Sequence, residues 1–220
     1  MLLCGFLINL KDKEKNVKKI ILAICSAVLC FAGNFEDAVK EYYAGNYENA
    51  SGLFEKSCVK DKNAAGCFLQ AFMTETSGGD YDKNEVASLY IKSCEGGDMY
   101  GCDAAGAVYA GAKSYGDADM QKAMPYYEKA CKGGVGNSCW ALAEYYVYSK
   151  SDAKKAEEYY KIGCDSKNGA ACSSLASLYD TKKIEGVSAE KIMEYYGLGC
   201  DYGDYYSCSQ FRSKFKEIKR

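Results

Sequence analysis

Ten of the thirteen cysteines fall into five couples that recur at a nearly fixed interval. Cys94 and Cys102, Cys131 and Cys139, Cys164 and Cys172, and Cys200 and Cys208 each enclose seven residues, while Cys58 and Cys67 enclose eight. First cysteines of successive couples lie 36, 37, 33 and 36 residues apart. A repeat of that length marks stacked supersecondary units, most often pairs of helices.

Spacing also constrains the chemistry of the couples. Residues eight apart on one helix are roughly 12 Å apart at 1.5 Å per residue, whereas a disulfide needs Cα atoms within about 7 Å. Each couple can bond only if the chain reverses between its members. In "CKGGVGNSC" (131–139), Gly133, Gly134 and Gly136 accept the positive φ that a reversal uses. A zinc site would favour cysteines two to four apart, commonly joined by histidine. The chain has no histidine, and neither a metal nor a cofactor is expected. The couples therefore read as five local disulfides.

The three remaining cysteines, Cys4, Cys25 and Cys30, all precede residue 31. Here "KDKEKNVKK" (11–19) reads as a basic n-region and "IILAICSAVLCFA" (20–32) as an apolar h-region of thirteen residues. That run is too short for a comfortable membrane span. Residues 1–32 are expected to be an N-terminal extension and signal peptide, cut near Ala32, and residues 33–220 a single solenoid. The segment "MLLCGFLINL" before the n-region is unusual for an export signal, which leaves a later start near Val17 open. Cleavage would remove the three spare thiols and leave an even ten. Paired cysteines behind an export signal imply an oxidising compartment, so the chain is expected to be secreted or periplasmic. Removing five lysines and two acidic residues with the leader takes the net charge from −2 to −5. Neither value suits nucleic acid, which calls for a basic face.

Aligned on the first cysteine of each couple, the repeats share an apolar stripe. Four positions earlier stand Phe54, Tyr90, Tyr127, Tyr160 and Tyr196, and five earlier stand Leu53, Leu89, Tyr126, Tyr159 and Tyr195. Eight earlier stand Ala50, Val86, Ala123, Ala156 and Ile192. These offsets lie on one face of a helix. The residue just before the cysteine is always small (Ser57, Ser93, Ala130, Gly163, Gly199), which predicts a close helix contact there.

Aligned on the second cysteine, a second helical stripe emerges. Three positions later come Gln70, Ala105, Leu142, Leu175 and Phe211, and seven later come Thr74, Tyr109, Tyr146, Tyr179 and Phe215. Each unit is thus a helical hairpin: one helix opens at the second cysteine of a couple, and the next runs to the first cysteine of the following couple. Residues 35–58 read as an opening hairpin. Residues 208–220 read as a terminal capping helix with Phe211, Phe215 and Ile218 on one face. Pro125, the only proline, falls inside a predicted helix and should kink it.

These columns resemble Sel1-like repeats, relatives of the tetratricopeptide repeat. The match is strongest over "AAGAVYAGAKSYGDADMQKAMPYYEKAC" (104–131). The cysteine couple in each repeat narrows the resemblance to the Helicobacter cysteine-rich protein family. The resemblance, over about residues 35–212, implies an all-α, right-handed α/α solenoid of helical hairpins stapled by disulfides. It further implies binding and slow hydrolysis of penicillin-type β-lactams, a β-lactamase as the alternative main activity, and engagement of peptide or protein partners.

The residues themselves give the chemistry little support. Acyl-enzyme β-lactamases use S-x-x-K with S-D-N and K-T-G. S-x-x-K occurs at Ser57, Ser151, Ser188 and Ser213, but neither other motif is present, and no catalytic residue is assigned. Ten of the 21 tyrosines occupy core columns. Tyr145 and Tyr148, beside the core position Tyr146, are the ligand-binding candidates, because they sit on the type of helix that lines the concave face of such stacks. The chain is therefore expected to be a monomeric binding module for a peptide, a cell-wall fragment or a protein.

Overall fold

The computed structural model describes residues 33–77, 80–111 and 119–218. The expected export segment, with Cys4, Cys25 and Cys30, lies outside them, as does the side chain of Ile218. Among the described residues there are eleven helices and no strand. In chain order these are α1 (Asn34–Tyr43), α2 (Tyr47–Val59), α3 (Ala64–Thr76), α4 (Lys83–Glu95), α5 (Met99–Tyr109) and α6 (Met120–Lys132). They continue with α7 (Gly136–Tyr148), α8 (Ala153–Asp165), α9 (Gly169–Asp180), α10 (Ala189–Asp201) and α11 (Tyr205–Ile218).

The hairpin register follows the cysteines with one adjustment. Each helix from α2 to α10 that carries a first cysteine ends one residue beyond it, and each that carries a second cysteine opens three residues before it. The turns between are consequently shorter than the couples suggest. All five disulfides form within their couples, with Cα–Cα distances of 4.5, 4.3, 4.8, 4.6 and 4.5 Å in chain order.

Local chemistry explains these reversals. Five positions before each second cysteine stands a residue in the left-handed region: Lys62, Gly97, Gly134, Lys167 and Gly203. In the last four turns its N–H returns to the carbonyl of the first cysteine, as from Gly97 to Cys94 (3.0 Å). The next N–H returns to the small residue before that cysteine, as from Asp98 to Ser93 (3.1 Å). This paired closure is the Schellman arrangement, which satisfies carbonyls that the helix end leaves open. The same next residue then caps the following helix. Asn63, Asp98, Asn168 and Asp204 each accept a backbone N–H of the first turn. Val135 holds this position before α7 and provides no side-chain cap.

Packing bears out the columns. Ala50, Val86, Ala123 and Ala156 are fully buried, and Phe54, Tyr90, Tyr127, Tyr160 and Tyr196 are nearly so. The aromatic five positions before a first cysteine packs against the aromatic seven positions after a second one, stacked in the first two pairs and tilted in the third. Ring centroids are 5.5 Å apart for Tyr109–Tyr126, 5.7 Å for Tyr146–Tyr159 and 5.9 Å for Tyr179–Tyr195. The small residue before each first cysteine meets another small residue before the second: Ser57 with Gly66, Ser93 with Gly101, Gly163 with Ala171, Gly199 with Ser207. Pro125 does not end its helix. It stands on the exposed side of α6, where water can reach the carbonyl its ring leaves unbonded.

Successive helices pack in an unbroken series from α1 to α11. The substantial contacts that skip a helix join α3 to α5, α5 to α7, α7 to α9 and α9 to α11. The odd-numbered helices thus lie closer together than the even-numbered ones. A stack compressed on one layer curves toward it, so the odd helices form the concave side of the solenoid.

Candidate functional site

A cleft of ≈320 Å³ opens on this odd-helix layer between α7 and α9. Glu144, Val147 and Tyr148 line it from α7, and Ser173, Ser174, Ser177 and Leu178 from α9. Tyr160 reaches it from α8, Thr181 and Lys183 from the chain leaving α9, and Tyr206 from α11. A hollow of ≈510 Å³ lies between α4 and the end of α5.

The polar groups of the α7–α9 cleft are held in place. Glu144 Oε1 accepts from the hydroxyl of Tyr160 and from Ser174 Oγ (3.4 Å). Ser174 Oγ in turn accepts from the Trp140 indole Nε1 (3.2 Å). Glu144 Oε2 accepts no hydrogen bond among the described residues. Tyr160 is only 2% exposed, which holds its ring in place beneath the cleft. Burial pushes the Tyr160 phenol well above its ordinary value, and its bond to Glu144 adds to the rise. It donates its proton at any pH near neutrality. At the far end, Lys214 of α11 pairs with Asp180 of α9 and fixes the capping helix against the cleft.

The cleft rim is aromatic. Tyr148 is 74% exposed, and Lys183 Nζ sits 5.8 Å from its ring centroid. Tyr206 is 55% exposed and meets the buried Tyr196 edge-on at 6.4 Å.

Of the two tyrosines expected to bind a ligand, Tyr148 lines this cleft. Tyr145 is half-buried one turn away, edge-on to Tyr146 at 5.6 Å, with Lys150 Nζ 5.6 Å above its ring. None of the S-x-x-K serines lines the cleft. Ser57 is fully buried in a helix joint, Ser151 lies in a turn, Ser188 caps α10 through the N–H of Lys191, and Ser213 is exposed on α11. Among the described residues, no group of three or more His, Cys, Asp or Glu could hold a metal ion.

Glu144, Ser174 and Tyr206 were not singled out from the sequence. One signal was available. Five positions after the second cysteine the other odd helices carry Phe72, Ala107, Ser177 and Ser213, and only α7 carries a carboxylate.

No protein-family model matches the chain, and no curated protein sequence does. Solved structures do. A Sel1 repeat protein from Oxalobacter formigenes superposes with a TM-score of 0.70 at 18% identity, over 80% of this chain and 73% of that one. A protective antigen present in uropathogenic Escherichia coli strains, displaying an SLR fold, superposes with a TM-score of 0.69 at 21% identity. That match covers 84% of this chain, which spans 41% of the antigen's length. At these identities the likeness establishes the fold: this chain is an α/α solenoid of Sel1-repeat type.

Proposed function

We propose that the chain is an exported binding module that holds an extended segment of a peptide or protein in the α7–α9 cleft. One observation carries this reading. Tyr148 stands 74% exposed on the rim of a cleft whose polar floor is already ordered through Trp140, Ser174, Glu144 and Tyr160. A rigid aromatic beside fixed polar groups offers contact area and hydrogen bonds at small ordering cost. Curved helical stacks present extended concave surfaces of the size that a chain segment covers. Five disulfides fit an oxidising compartment outside the cytosol. No helix among the described residues is long and apolar enough to cross a membrane.

A cell-wall fragment is the other occupant that the sequence reading allowed. β-Lactam binding and hydrolysis rest on the family resemblance alone, because none of the S-x-x-K serines stands in the cleft.

The test is selection from a random peptide library against the oxidised protein, followed by titration of the enriched peptides. Tyr148→Ala should weaken them by about tenfold or more while leaving Tm unchanged, because the ring is largely in solvent. Binders indifferent to Tyr148→Ala would place recognition elsewhere. Turnover of a chromogenic cephalosporin that scales with folded protein would replace this reading with the hydrolase.

A further inference from the structure

The cleft presents one carboxylate, with one oxygen tied down and the other without a bond. Glu144 Oε1 is held by Tyr160 and Ser174, and its Oε2 accepts nothing among the described residues. A carboxylate so oriented on a cleft wall is a ready acceptor for a charged donor, which makes a stronger bond than a neutral one.

The rim tyrosine already carries an ammonium. Lys183, an exposed side chain just beyond α9, places Nζ 5.8 Å from the Tyr148 centroid. Tyrosine faces serve this purpose elsewhere in the chain. Lys155 Nζ lies 4.5 Å from the Tyr146 centroid, and Lys191 Nζ lies 4.9 Å from that of Tyr195. The negative ring face draws a cation, most strongly where water is thinned.

The two features flank the same cavity, with the exposed ring of Tyr206 also on its wall. Lys183 does not bond Glu144, so the carboxylate is left for another donor. Lys214, the neighbouring cation, is committed to Asp180. A surface lysine held only by one ring exchanges readily, because an exposed contact of this kind is weak.

From this arrangement we infer that the preferred occupant is a peptide bearing a basic side chain, with its ammonium or guanidinium seated between Glu144 and Tyr148 in place of Lys183. The inference rests on the peptide-binding reading above and names the chemistry that the site selects. Arginine fits better than lysine, since its planar fork can bond Glu144 while its flat face lies on the ring.

The experiment titrates the oxidised protein with four synthetic peptides in one Gly/Ser frame that differ only at a central Arg, Lys, norleucine or Glu. Calorimetry at low and near-physiological salt gives the affinities. The Arg peptide should bind at least about tenfold tighter than the norleucine peptide, the size of one charge-assisted bond plus a cation–π contact. Glu144→Gln keeps an acceptor for Tyr160 and should erase that preference. Lys183→Met should act oppositely and tighten the Arg peptide a few-fold, because it removes the resident competitor. That opposition separates a charge-reading site from a general loss of folding.

A preference for the Glu peptide, or an Arg preference that survives Glu144→Gln, overturns the inference. If all four peptides bind alike and Tyr148→Ala weakens them all, the basic-residue inference falls and the peptide-binding reading stands. If none binds at millimolar concentration, both fall.

Discussion

Gly101 of α5 stands so close to Ser93 of α4 that a Cβ placed on it would lie 2.3 Å from the serine oxygen and 2.9 Å from the backbone nitrogen of Cys94. The same close approach recurs at the other joints, at 2.6 Å from Gly66 to Ser57 Oγ, 2.7 Å from Gly163 to the Ala171 Cβ and 2.3 Å from Gly199 to Ser207 Oγ. In the third joint, Ala130 and Ser138 are both fully buried. Small residues directly before the two cysteines of a couple let the helices come close enough for the sulfurs to bond. Gly101→Ala should therefore destabilise by about 1–3 kcal/mol, the usual cost of overpacking where backbone cannot yield. The expected readout is a lower thermal midpoint with all five disulfides intact.

The turns give a prediction of opposite sign. Lys167 has a φ of 62°, where Gly97, Gly134 and Gly203 stand in the corresponding turns. A side chain in this region costs roughly 1–2 kcal/mol, part of which glycine's greater freedom in the unfolded chain offsets. Lys167→Gly should raise stability by up to about 1 kcal/mol. Gly134→Ala should lower it by about 1 kcal/mol although a Cβ there meets nothing within 4 Å. Denaturant melts of the two variants, run oxidised, give the signs directly.

Removing one staple tests how much each contributes. Paired substitution of Cys164 and Cys172 by alanine opens a loop that the chain-entropy relation values at about 2.6 kcal/mol. The loss should appear in thermal unfolding, with the four other couples still bonded. A similar double substitution at Cys200 and Cys208 should loosen α11 first, because that helix packs on the rest of the stack from one side only.

The parts of this fold that were legible in the sequence are those set by periodicity. Cysteine spacing fixed where the chain turns, and the columns through Ala156, Tyr160 and Cys164 fixed which face of a helix is inside. The cap residues were equally visible, since Asn or Asp stands four positions before four of the five second cysteines. The cleft was less so. Glu144 and Ser174 lie thirty residues apart, and only the stacking of α7 on α9 brings them together. Tyr145 and Tyr148 look alike in sequence, yet their three-residue separation turns one ring against Tyr146 and leaves the other in solvent. Pro125, expected to kink its helix, lies inside the continuous helix α6 on its exposed side.

Buried phenols predict the alkaline limit of the fold. Burial, then the Asp103 carboxylate, pushes Tyr127 up to about 12, and burial, then the Glu157 hydrogen bond, drives Tyr179 up as well. A folded value above the unfolded one contributes stability that is complete below the ordinary value of 10.0 and is lost as pH rises through the folded value. The protein should therefore hold its stability to about pH 10 and lose it steeply above. In an ultraviolet titration, the buried tyrosines Tyr127 and Tyr179 should ionise only as helix content falls. Smooth ionisation of all tyrosines with no loss of helix would contradict this.

The central claim is that each cysteine couple closes on itself and so sets the register of the helices that build the cleft. Non-reducing proteolysis with mass spectrometry reads those linkages directly. The account predicts five local bridges, Cys58–Cys67, Cys94–Cys102, Cys131–Cys139, Cys164–Cys172 and Cys200–Cys208, and no free thiol among these ten. Bridges between different couples, or free thiols at these positions in folded protein, would contradict it.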